Sequence, residues 1–123
     1  MSLLITVLAV LALPPRAPAE LVGTWDVALY YSETAEPSST VMVIDAEADG
    51  VLTGSFYGSA FGEARARVFQ GEVIFTATTQ DGSGAYLHSG RLASNGDMTG
   101  QTLSVGRDFL MGWTATRREG DAP

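Results

Sequence analysis

From Leu21 onward, apolar and polar residues alternate in short runs, and clusters of glycine, asparagine, aspartate and serine separate the runs. Strict alternation puts every second side chain on one face, the mark of a half-buried strand. Eight runs fit: Leu21–Tyr31, Thr40–Glu47, Val51–Tyr57, Glu63–Phe69, Glu72–Thr79, Ala85–Leu92, Met98–Val105 and Phe109–Arg117. The breaks include Ala48-Asp49-Gly50, Gly58 to Gly62, Gln70-Gly71, Asp81-Gly82-Ser83-Gly84, Ser94-Asn95-Gly96-Asp97 and Gly106-Arg107-Asp108. Glycine and asparagine tolerate the positive φ of tight hairpins. Turn signals recur about every ten to fourteen residues, no helical period follows Leu13, and every connection is too short for a crossover helix. The chain is therefore predicted to be all-β: an eight-stranded antiparallel up-and-down meander closed into a barrel over residues 20–118.

In a meander the strand ends alternate between two rims. Connections 32–39, 58–62, 80–84 and 106–108 fall at the rim opposite Trp25, and those at the Trp25 rim are mostly tighter. The expected shape is a cup with one pinched end.

The pinched end carries Gly23-Thr24-Trp25 on the first strand and Arg117 on the last. In this arrangement the chain resembles the calycin group, comprising the lipocalins, avidins and fatty-acid-binding proteins. There a Gly-x-Trp packs near a basic side chain of the final strand. The resemblance implies that Gly23, Trp25 and Arg117 close one end and that a ligand enters at the other. It implies no particular ligand. Where avidins place Asn and Ser for biotin, this chain has Asp26, Val27 and Ala28.

The first residues follow a different pattern. Leu3 to Leu13 is almost uninterruptedly apolar, and Pro14, Pro15 and Ala17-Pro18-Ala19 follow. A short apolar core before a small-x-small site is the layout of a secretory signal peptide, here spanning residues 1–19 with cleavage after Ala19. The run is too short for a membrane-spanning helix, which needs about 20 apolar residues. The expected location is periplasmic or extracellular, with residues 119–123 as a frayed tail. There is no cysteine, so an exported domain of this size must rely on packing and sheet closure. Fourteen acids face seven arginines, and lysine is absent, giving a net charge of −7. Nucleic acids and anionic membranes need clustered positive charge, so neither is an expected partner. Oligomeric state is not legible.

Several patterns were weighed as chemistry. Asp45, Glu47 and Asp49 before Gly50 resemble half a calcium loop, but its twelfth position, where a bidentate acid belongs, is Phe56. With one histidine and no cysteine, no zinc site can be assembled, and no cofactor pattern is present. No Gly-x-Ser-x-Gly elbow frames Ser83 or Ser89, so no catalytic residue is assigned. Arg65 and Arg67 alternate with alanines and are expected on the outer face, with Glu63 and Glu72 as possible cross-strand partners.

The aromatic set is the more suggestive feature. Tyr31, Phe56 or Tyr57, Tyr86 and Phe109 all fall at strand ends on the open rim, with Met111 just below. Strand parity from Trp25 sends Val27, Leu29 and Tyr31 inward, and the more apolar faces expected to point inward are Val73, Phe75 and Ala77 on the fifth strand and Phe109, Met111 and Trp113 on the eighth. The run Ala85–Leu92 can face either way. One face holds Tyr86 and His88, the other Leu87 and Arg91. The candidate ligand-binding residues are Tyr31, Phe56, Tyr86, His88, Phe109 and Met111, for a small, mostly apolar molecule. Two alternatives stand beside this one. An interaction or inhibitor module would have a filled core, since eight strands leave an interior barely wide enough for side chains. A barrel isomerase or cyclase would use His88 or Tyr86 as acid or base. Gly54, Gly90, Gly100 and Gly112 inside strands either ease curvature or leave room for ligand.

Overall fold

The computed structural model describes residues 16–118 and residue 120. The apolar run Leu3–Leu13, Pro14-Pro15 and tail positions 119 and 121–123 lie outside the described residues. A short 3-10 helix, Pro18–Leu21, precedes nine strands. These are β1 (Gly23–Tyr30), β2 (Ser38–Ala48), β3 (Val51–Phe56), β4 (Ser59–Ala60), β5 (Ala64–Phe69), β6 (Glu72–Asp81), β7 (Gly84–Leu92), β8 (Met98–Ser104) and β9 (Phe109–Arg117). The eight long strands form a closed antiparallel barrel in up-and-down order, with β9 returning to β1 from Trp25↔Arg117 to Tyr30↔Gly112. The ninth, β4, lies within the break expected at Gly58–Gly62, as a two-residue extension of the β3 hairpin.

Local chemistry accounts for the connections. Asp49-Gly50, Tyr57-Gly58 and Gln70-Gly71 each have positive φ at both residues. That is the type I′ geometry whose twist matches antiparallel strands. The β3–β5 seam is held by one pair, Val51↔Arg65, and by Ala66 N–H donating to the Gly50 carbonyl at 2.8 Å. Nearer the open rim the wall is completed by the segment after β4, where Gly62 N–H donates to Thr78 O and Thr78 N–H to Glu63 O. A register shift between Ile44 and Ala46 bulges β2 at Asp45.

The inward side chains form rows across neighbouring strands. Val73, Leu92, Met98, Ala115 and Val27 make one, and Phe75, Gly90, Gly100, Trp113 and Leu29 the next towards the open rim. In this second row the glycines are filled by rings. A Cβ on Gly90 would stand 2.3 Å from Phe75 Cε1, and one on Gly100 2.2 Å from Trp113 Cζ2. Gly54 instead lets β3 close on β2, where a Cβ would meet the Val43 carbonyl at 2.0 Å. The space left by Gly90 and Gly100 is thus occupied by the protein itself.

Below these rows the barrel is plugged. Trp25 is 1 % exposed, and its Nε1–H donates to Leu21 O at 2.9 Å. The Arg117 guanidinium lies 4.4 Å from the Trp25 ring centroid and donates to the carbonyls of Val22 and Glu20. Cation–π attraction and aliphatic packing therefore act at one point. Gly23 opens β1 with φ 145°, where the chain turns from the plug into the sheet. Leu21, expected at the start of the first strand, lies instead in the 3-10 turn and is fully buried. Arg16 pairs with Glu20 at 3.1 Å and donates to Leu92 O at 3.0 Å, so the chain before Glu20 also contributes to the plug.

Candidate functional site: a pocket at the open rim

The row above the filled layer is Ala77, His88, Thr102 and Met111, and the next holds Thr79, Tyr86, Ser104 and Phe109. From these upper rows Thr79, Tyr86, His88, Thr102 and Met111 line a pocket of about 290 Å³ that opens at the rim opposite Trp25. Leu29, Phe56 and Met111 form its buried apolar wall, Thr79, His88 and Thr102 its buried polar side, and Tyr86, Asp81, Ser83 and Arg107 part of its mouth.

Five of the six candidate residues come together here: Tyr31, Phe56, Tyr86, His88 and Met111. Phe109 stands behind them, its ring stacked on Tyr31 at 6.0 Å. Tyr31 was expected to point inward by parity. It lies one residue beyond β1 and is 45 % exposed, so it flanks the mouth. β7 turns its Tyr86 and His88 face inward and leaves Leu87 and Arg91 outside.

His88 is 4 % exposed and stacks on Phe56 with centroids 4.2 Å apart. Its Nε2 is 2.9 Å from Thr79 Oγ1 and its Nδ1 is 2.8 Å from Thr102 Oγ1. Trp113 Nε1–H donates to the same Thr102 hydroxyl at 3.0 Å. Burial lowers the imidazole pKa from 6.5 to about 4, so the ring is neutral at neutral pH. With both nitrogens engaged by threonines, His88 forms part of the polar wall of the pocket. Ser104, between Tyr86 and Phe109, is buried, its hydroxyl has no partner among the described residues, and it does not line the pocket.

The mouth has its own closed network. Asp81 Oδ1 accepts from Ser83 N–H and from Ser83 Oγ–H, each at 2.7 Å. These bonds hold the Asp81 carboxyl below its ordinary pKa. Ser83 has one hydroxyl hydrogen and the carboxylate takes it, so the Tyr86 phenol donates to Ser83 Oγ at 2.5 Å. Arg107 in turn donates to Tyr86 Oη at 2.9 Å.

Thr79, Thr102, Asp81 at the end of β6 and the turn residues Ser83 and Arg107 were missed by sequence reasoning. The threonines carried one usable signal, since they occupy inward-parity positions on the two strands flanking His88.

Two further candidates resolve differently. Arg65 and Arg67 face outward, but neither pairs with Glu63 or Glu72. Among the described residues Glu72 pairs instead with Arg91, at 3.4 Å. Together these three arginines border an open depression of about 580 Å³ on the outer wall. In the acidic segment the bulge removes Asp45 from the alternation, and the Glu47 carboxylate accepts Gly50 N–H at 2.8 Å. No group of three or more metal-ligating side chains occurs among the described residues, and no described helix is long and apolar enough to cross a membrane.

Comparison with known protein families, curated proteins and solved structures finds no match to this chain. The architecture therefore carries the functional argument.

Proposed function

We propose that this chain is an exported, calycin-like barrel that binds a small, mostly apolar molecule in the rim pocket. The observation that carries this reading is a pocket of about 290 Å³ at the open rim, above a core that aromatic rings otherwise fill. That volume sits at the small end of ligand cavities, which run from about 300 to 1,000 Å³. Its deepest polar groups are neutral hydroxyls and a neutral imidazole, so an uncharged ligand suits it better than an ion. Export is inferred from the apolar run Leu3–Leu13 and the Ala17-Pro18-Ala19 site. Cleavage after Ala19 would remove the Arg16 bonds to Glu20 and Leu92 while leaving Arg117 over Trp25. N-terminal sequencing of the exported protein decides that point.

Binding is tested by titrating an apolar fluorescent probe. We expect submillimolar affinity, weakened by Tyr31→Ala and by Phe109→Ala, the latter through loss of support for Tyr31. No binding by the wild-type protein contradicts the proposal.

A second reading is favoured by the outer wall. There Arg65, Arg67 and Arg91 surround a depression on a protein of net charge −7, which suits an interaction module that contacts an acidic partner through this face. Charge reversal at Arg67 should abolish such binding and leave the probe unaffected.

A further inference from the structure

The direction of every hydrogen bond along the buried side of the pocket follows from one residue. Trp113 Nε1 can only donate, and it donates to Thr102 Oγ1. Thr102 is 2 % exposed and has a single hydroxyl hydrogen. If His88 Nδ1–H also donated to Thr102, that hydrogen would be buried with no acceptor in contact, at a cost of about 1–3 kcal/mol. The satisfied arrangement has Thr102 donating to Nδ1. The neutral ring then carries its proton on Nε2 and donates it to Thr79 Oγ1. Thr79 accepts that bond, and its own hydroxyl hydrogen has no partner among the described residues. Thr79 lines the pocket. The run of bonds therefore begins at a core indole and ends as a spare donor facing the ligand space. The bonds of the mouth network run among Arg107, Tyr86, Ser83 and Asp81, and none of them involves Thr79.

We propose that this pocket selects small uncharged molecules bearing a carbonyl-type oxygen on an apolar frame, with Thr79 donating to that oxygen. This inference rests on the proposed pocket function and assigns its ligand class. Trp113, Thr102 and His88 are positioning residues: Trp113 bonds Thr102, Thr102 bonds His88 and His88 bonds Thr79, and together they set which way its hydroxyl points.

The experiment compares a matched pair, acetophenone and α-methylstyrene, which share shape and differ in C=O against C=CH₂. Affinities are measured by NMR titration of the full chain. One neutral hydrogen bond, about 0.5–1.5 kcal/mol, corresponds to a roughly 2- to 10-fold fall in the ketone-to-alkene affinity ratio when the Thr79 hydroxyl is removed. The wild-type ratio itself also carries the ketone's greater cost of leaving water. Thr79→Ser should keep the wild-type ratio and Thr79→Val should lower it by that factor. Should Thr79→Val fail to fold, Thr79→Ala and the ¹⁵N shifts of His88 still decide, since those shifts must report the Nε2–H tautomer. A ratio unchanged by removal of the hydroxyl overturns the inference while leaving the pocket reading intact, and so does an Nδ1–H tautomer. Binding of neither compound overturns both.

Discussion

Replacing Gly90 by alanine places a methyl group 2.3 Å from Phe75 Cε1, 2.7 Å from Phe75 Cζ and 3.0 Å from Trp113 Cη2. Carbon atoms in contact prefer about 3.5–4.0 Å, so the Phe75 ring must retreat by roughly 1 Å in a packed interior. Overpacking of this kind costs about 1–3 kcal/mol. Against it stands a gain of about 0.5–1 kcal/mol, because alanine loses less conformational freedom in a strand than glycine does. The expected net loss is about 0–2.5 kcal/mol. All three blocking atoms belong to side chains, so the clash is separable from the backbone. Phe75→Leu removes the offending ring atoms, opens a void of its own and costs stability alone. In the double variant the added methyl enters that void, and the loss should fall short of the sum of the single losses by about 0.5–3 kcal/mol. Urea unfolding of the four proteins, with slopes compared, measures each value. For a domain of this size each kcal/mol also moves the melting temperature by about 4–8 °C. A stabilised Gly90→Ala protein, or strictly additive losses, would show that the ring does not fill the glycine's space. The layer beneath the pocket would then not be solid.

Trp25→Ala should cost about 3–5 kcal/mol for the lost ring, and more for the unpaired Leu21 carbonyl and the lost cation–π contact of Arg117, as read by denaturant unfolding. His88 makes stability fall with acid. Above pH 6.5 both states hold a neutral ring, and below it the unfolded chain takes up a proton that the folded one refuses until about pH 4. The loss therefore begins near pH 6.5, saturates below about 4 at around 3 kcal/mol, and is absent in His88→Gln; unfolding at stepped pH checks it. Ser104→Ala removes a buried hydroxyl that has no partner among the described residues, so thermal melting should show unchanged or raised stability.

The alternation carried the barrel because one face of each strand is apolar, and period two is hard to mistake. Its weakest point was β7, where an aromatic and a histidine faced a leucine and an arginine across the same strand. Register decides that case. His88 pairs with Ala77 and Thr102 on inward rows, and a sequence does not print which residues stand opposite. The same gap hid Thr79 and Thr102, ordinary strand residues until the histidine between them is seen to bond both. Asp81, Ser83 and Arg107 read as turn punctuation, and it is the pairing of β7 with β8 that brings 81–83 beside 107. The inner glycines were ambiguous because absence of a side chain looks alike whether the space holds a ligand or a neighbour's ring. The β2 bulge at Asp45 depends on how β2 meets β3, which alternation alone does not specify.

The central claim is that the cavity taking a ligand is the rim pocket, above the filled layer and inside the barrel wall. Its methionines test this most directly. Met111 lines the pocket, Met98 lies towards the plug between Leu92 and Ala115, and Met42 is buried opposite Trp25. With ¹³C-methyl-methionine labelling, titration with a small uncharged aromatic compound should shift the Met111 resonance by ring current and leave Met98 and Met42 in place. Saturable binding that leaves Met111 unmoved, or that shifts Met98 instead, would contradict the account.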